Sequence, residues 1–179
     1  MEANLFPIPP ESQQKTPGGF TLVEILVVIS IIGLLAGLAF PAIQGAILAG
    51  KKAEVAAMAE SIKTAINAFY SEYSFYPSNN GFTDTNFLSL MTTTNTQGGN
   101  VRGISFLEVP PKFTNAQGLV TPAGFYKSGA RTNFSIAIDT QGLGNLSVMV
   151  GSRTYTSSAS VTVWVSDPSN PNKPVGTLK

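Results

Sequence analysis

The chain has 179 residues and a formal net charge of +1, with 12% charged and 43% hydrophobic residues. That balance gives no electrostatic reason to bind nucleic acid, and it suggests either a membrane segment or a large core. With neither cysteine nor histidine, disulfides, thiol chemistry and the commonest general base and metal ligand are all excluded.

Residues 1–19 contain Pro7, Pro9, Pro10 and Pro17, end in Gly18-Gly19 and show no helical periodicity. They read as an unpacked tail. Glu2, Glu11 and Lys15 make it a poor match to a basic secretory leader.

From Phe20 to Gly50 the only charge is Glu24. A helix of that length, at about 1.5 Å per residue, exceeds the ~30 Å hydrocarbon core of a bilayer. One transmembrane helix is expected. A carboxylate within such a helix costs roughly 2.5–3.5 kcal/mol on insertion scales, so Glu24 asks for a partner. Thr21-Leu22-Val23-Glu24 is also an S/T-x-x-E capping box, which would explain the glutamate by helix capping alone. Gly33 and Gly37 form a GxxxG spacing that suits close helix approach, and Pro41 is a candidate kink. Membrane helices also tolerate glycine with no special role. Lys51-Lys52 closes the run, on the side where the positive-inside rule would not place it.

Residues 51–76 place Val55, Met58/Ala59, Ile62, Ala65/Ile66, Phe69 and Tyr73 at helical spacing, with charged residues between them. This predicts an amphipathic continuation of the same helix, ending at Tyr76-Pro77. Residues 77–179 are rich in Ser, Thr, Asn and Gly. Phe134–Ile138, Leu146–Val150 and Ser160–Val165 read as strands, with Trp164 as core. Asp139–Asn145, "DTQGLGN", reads as a hairpin loop between the first two. The expected fold class is α+β: one long helix packed on a small antiparallel sheet.

"GGFTLVEILVVISIIGLLAG…FP", Gly18 to Pro41, resembles the processing and methylation signature of type IV prepilins and of type II secretion pseudopilins. The resemblance implies a leader, residues 1–19, removed by a prepilin peptidase between Gly19 and Phe20, with N-methylation of Phe20. It implies that residues 20–50 form the membrane and filament-core helix, that residues 51–76 continue it, and that residues 77–179 form the globular domain. Glu24 would then pair with the Phe20 amine of a neighbouring subunit. At ~4 Å and an effective dielectric near 20, opposite charges gain ~4 kcal/mol, comparable with the insertion cost. Gly33, Gly37 and Pro41 would ease local melting of the helix in the filament.

Major pseudopilins often carry a calcium loop. Asp139 and Asn145, with Asp167 as a third candidate, are the residues offered here, against the six to eight oxygens calcium takes. A plain turn is the preferred reading, with no cofactor required. The implied partners are the peptidase, the chain itself and other pilin-like subunits, and an inner-membrane assembly platform. The implied location is single-pass in the bacterial cytoplasmic membrane, with the globular domain periplasmic or extracellular. The tyrosines and Tyr76-Pro77 after the helix, and the absence of cysteine, favour a pseudopilus subunit over a pilus subunit for adhesion, motility or DNA uptake. A secreted binding protein, cleaved near Gly37-Leu38-Ala39, is a weaker alternative because the leader is acidic and the apolar run overlong. No spacing assembles a nucleophile and base, so no enzyme is expected.

Overall fold

The computed structural model describes residues 18–93 and 98–178. The predicted leader therefore lies outside the described residues, except for Gly18 and Gly19. A single helix, α1, runs from Leu22 to Tyr73 without a break at Gly33, Gly37 or Pro41. The described residues fall into two units divided between Ile43 and Gln44.

The N-terminal unit is bare apolar helix. Each Val, Leu, Ile and Phe from Phe20 to Ile43 is exposed, Leu22 at 79% and Leu38 at 72%. The Ser30 hydroxyl donates to the Leu26 carbonyl at 2.7 Å, so even this polar side chain is satisfied inside the helix. By length and composition the helix is able to cross a membrane.

In the second unit the predicted apolar stripe is the core face. Val55, Met58, Ala59, Ile62, Ala65, Ile66 and Phe69 are all buried. The helix ends three residues before the predicted Tyr76, where Ser74 takes a left-handed conformation, φ 59°. Its N–H closes on the Tyr70 carbonyl at 2.7 Å, capping the last turn. A short helix, α2 (Thr85–Thr92), is absent from the expected elements. Its N-cap is Asp84, which accepts the Phe87 N–H. A 3-10 turn (Pro111–Phe113) leads into the small pair β1 (Thr114–Asn115) and β2 (Gly118–Leu119).

The main sheet has the order β3-β6-β7, from β3 (Ser135–Ile138), β6 (Val161–Asp167) and β7 (Asn170–Gly176), all antiparallel. A separate hairpin joins β4 (Leu146–Val150) to β5 (Arg153–Ser157). The three expected strands are therefore present, but β3 and β4 lie in different sheets. Asp139–Asn145 is the link between two layers, not the hairpin loop that the local pattern suggested. On β6, Val161, Val163 and Val165 join the helix-side core with Ile136 and Val175. Trp164 points to the other face and closes a second cluster with Val150 and Leu178, against Val148 and Tyr155 of the hairpin. The alternation of a strand thus divides β6 between two cores.

The outer edges of the main sheet are both obstructed. Along β3, Gly81 accepts the Ile136 N–H at 2.8 Å and Thr83 donates to the Phe134 carbonyl at 3.0 Å. Along β7, Pro171 and Pro174 remove donors and Lys173 adds an exposed charge.

Candidate functional site

Helix α1 starts with a complete capping box. The Thr21 N–H donates to Glu24 Oε2 at 2.7 Å, and the Glu24 N–H donates to Thr21 Oγ1 at 3.2 Å. The Thr21 hydroxyl also donates to Glu24 Oε2, at 2.7 Å. Two otherwise orphaned amides of the first turn are thereby satisfied. Both bonds to the carboxylate fall on Oε2, and among the described residues Oε1 accepts no hydrogen bond. Capping and charge pairing are thus compatible on one side chain. A cut between Gly19 and Phe20 would leave the Thr21 amide, and so the cap, intact.

Gly18, Gly19 and Phe20 precede the helix and are exposed, with nothing near the glycine Cα positions. Among the described residues nothing lies within 4 Å of a Cβ added at Gly33 or Gly37, which leaves both positions open to the close approach that small residues permit.

Where α1 joins the globular unit, three charged residues fasten it. Lys51 Nζ donates to the Gly124 carbonyl at 2.8 Å. Lys52 pairs with Asp167 at 2.8 Å, where the carboxylate side chain is only 6% exposed. Glu54 pairs with Lys112. Asp167 lies at the register shift between Ser166 and Asp167 near the end of β6. Burial pushes its carboxyl pKa up, but the Lys52 ammonium and the Ser169 and Asn170 amides outweigh this and hold it below the ordinary value. The lysines that fit the positive-inside rule poorly are therefore holding the helix to the loop at Gly124 and to the end of β6.

At the other end of the same helical stretch, Asn100 is fully buried and its side chain has five polar contacts, with one amide N–H shared between two carbonyls. Its amide donates to the carbonyls of Leu90, Thr93 and Ile104 at 2.9, 3.0 and 2.8 Å. Its oxygen accepts from Tyr73 Oη at 2.9 Å and from the Ile104 N–H at 3.1 Å. Arg102 adds an ion pair to Glu72. Sequence reading did not single out Asn100, because an asparagine beside Gly98-Gly99 looks like ordinary loop chemistry.

Of the candidate calcium residues, Asp139 and Asp167 each have partners within the chain. Asp139 accepts from the Gly144 N–H at 2.8 Å and the Leu143 N–H at 3.1 Å, using both carboxylate oxygens. These amides, Gly144 first, keep its carboxyl below the usual carboxylate value against a small desolvation cost. Asp167 is committed to Lys52. Among the described residues there is no group of three or more acidic, histidine or cysteine side chains that could hold a metal. Asp139 therefore serves as a turn-forming side chain whose two oxygens are both occupied by backbone amides.

Residues 15–40 match the family model of the prokaryotic N-terminal methylation motif. The chain is 40% identical over 62 residues to a fimbrial protein of Neisseria meningitidis serogroup A, covering 35% of this chain and 36% of that protein. It is 39% identical over 62 residues to a type IV major pilin protein PilE1 of Neisseria gonorrhoeae, covering 35% and 29%. It is 45% identical over 49 residues to a fimbrial protein of Moraxella nonliquefaciens, covering 27% and 32%. The chain thus spans about a third of the length of the curated relatives it matches. No solved structure matches. A long N-terminal helix with small antiparallel sheets, opened by a prepilin methylation motif, makes this chain type IV pilin-like.

Proposed function

We propose that the chain is a structural subunit, cut after Gly19, methylated on the Phe20 amine and assembled through α1 into a filament. The observation that carries this reading is the contrast within one helix. Its first half exposes apolar residues on every side, while its second half is sunk into a folded domain and tied down at both ends. An apolar helical segment continuous in sequence with a folded domain suits storage in a bilayer followed by helix-to-helix packing. Glu24 Oε1, left open by the cap, is the atom that would meet the Phe20 amine of the next subunit. The role is structural, not catalytic.

Within that class the reading is a subunit of a type II secretion pseudopilus, held in the cytoplasmic membrane with its domain in the periplasm. It rests on the Tyr-rich segment and Tyr76-Pro77 after the helix and on the lack of cysteine. Its partners would be a prepilin peptidase, other pilin-like subunits and a membrane assembly platform. A pilus subunit is the second reading, favoured by the fimbrial proteins among the relatives.

The test is the amino-terminal sequence and intact mass of the mature protein from its native membrane, with and without the peptidase. A peptidase-dependent start at Phe20 carrying one methyl group is expected. A chain that retains Met1, or one that starts near Phe40, overturns the reading. Deletion then separates the machines: lost protein export indicates the pseudopilus, and loss of a filament visible outside the cell indicates the pilus.

A further inference from the structure

Beside the Lys51 tether the globular unit carries an open cleft of 590 Å³. Ile47, Leu48 and Phe125 give it apolar walls, and Gln44, Ser169 and two lysines, Lys51 and Lys127, give it polar groups. Among the described residues no acidic side chain lines it. The nearest carboxylates fastened to this end of the helix, Glu54 and Asp167, are neutralised by Lys112 and Lys52. Lys51 spends one of its three N–H donors on the Gly124 carbonyl and Lys127 is exposed, so the cleft holds two positive charges with no opposing charge in its lining. Gly124 has φ +69°, and a Cβ there would lie 2.8 Å from Lys51 Nζ. Glycine therefore lets the ammonium stay in the cleft.

Position along the chain identifies what would enter. About 20 helical residues cross the hydrocarbon layer, so a span beginning at Leu22 ends near Pro41. Gln44 to Lys51 then falls in the interfacial layer, where headgroups lie. We infer that this cleft seats the phosphate headgroup of an anionic phospholipid, with Lys51 and Lys127 facing the phosphate and Ile47, Leu48 and Phe125 meeting the glycerol end of the acyl chains. Aliphatic lysine stems lie along apolar surface while the charge stays at the interface. The subunit would then be held at a fixed depth in the bilayer until it is withdrawn into a filament, and leaving the membrane would require releasing the headgroup. The inference rests on the membrane-anchored reading above.

The test uses the full mature chain in a neutral detergent, with native mass spectrometry counting bound phosphatidylglycerol against phosphatidylcholine. Wild type is expected to retain phosphatidylglycerol preferentially. Lys127→Glu, an exposed side chain outside the folded core, should weaken that retention by about fivefold or more, the attraction of one lysine at an anionic surface. Lys173→Glu, on the β7 edge, should leave it unchanged. Equal retention of the two lipids, or full retention in Lys127→Glu, overturns the inference. So does displacement of phosphatidylglycerol by millimolar inorganic phosphate, which would mark a free-anion site. The count is made in detergent and does not depend on where the mature chain begins. A start other than Phe20 would sink the proposed processing and leave this result readable.

Discussion

Gly176, the last residue of β7, has φ +147° and sits opposite Trp164 of β6. An added Cβ would lie 2.3 Å from the Val163 carbonyl oxygen, 2.9 Å from Trp164 Cα and 3.2 Å from Ala59 Cβ on the helix. The first two are backbone atoms, so the strand itself has to move. Gly176→Ala therefore combines a strained positive φ, of order 1–3 kcal/mol, with overpacking of about 1–3 kcal/mol. The sum, roughly 2–6 kcal/mol, is a large share of the 5–15 kcal/mol that holds a typical domain. Trp164 is the single tryptophan and lies next to the change, so its fluorescence reports urea unfolding of the detergent-solubilised chain. With a urea slope of ~2 kcal/mol per molar, the midpoint should fall by ~1 M or more. Gly129→Ala is the control: its φ is +75° but nothing lies within 4 Å of the added Cβ, so only the backbone strain remains. Equal destabilisation by the two variants would refute the claim that close strand-to-helix packing requires glycine at Gly176.

At the helix start, Thr21→Ala should cost ~1 kcal/mol of cap and still assemble, whereas Glu24→Ala should block assembly; filament yield of Glu24→Ala at wild-type level would defeat the pairing role. Asp167 has a folded pKa below its reference value of 3.8, so the stability it contributes is complete above that value and is lost as pH falls through the lower, folded pKa. Acid titration of thermal stability should show a loss below about pH 4 that is flattened in Asp167→Asn; parallel curves for the two proteins would rule the pair out. Calcium at millimolar concentration should leave the melting temperature unmoved, and a rise abolished by Asp139→Asn would show that the loop opens to bind metal after all.

The helix was legible because burial imposes a period: every position of the Val55–Phe69 stripe lies in the core. Its end was less legible, since nothing about Ser74 announces a left-handed residue. Helix α2 was hidden by its brevity and by threonines that favour strand, although Asp84 three residues before Phe87 was a usable cap signal. The β5 strand, "RTYTS", has the composition of a strand but exposes most of its residues, so no apolar alternation marked it. The β7 strand is punctuated by two prolines and reads as loop; it is a strand because β6 pairs with it. Strand pairing is a long-range property, and a run of residues cannot show that β3 seeks β6 while β4 seeks β5. At the helix start, the capping box was legible in the sequence and the pairing role was implied only by the resemblance; the geometry adds that the cap uses one carboxylate oxygen, Oε2.

The closed edges of the main sheet carry a consequence for crowding. In any fibre, heads are held side by side at a local concentration far above that of free protein, which is the condition under which exposed strands zip into unwanted sheets. Here the segment from Gly81 to Thr83 occupies one flank of the main sheet and the prolines of β7 interrupt the other. If the chain assembles as proposed, neighbouring domains can touch along that sheet without joining it. Cohesion is then left to the apolar helices, and a subunit can leave without a shared sheet being torn.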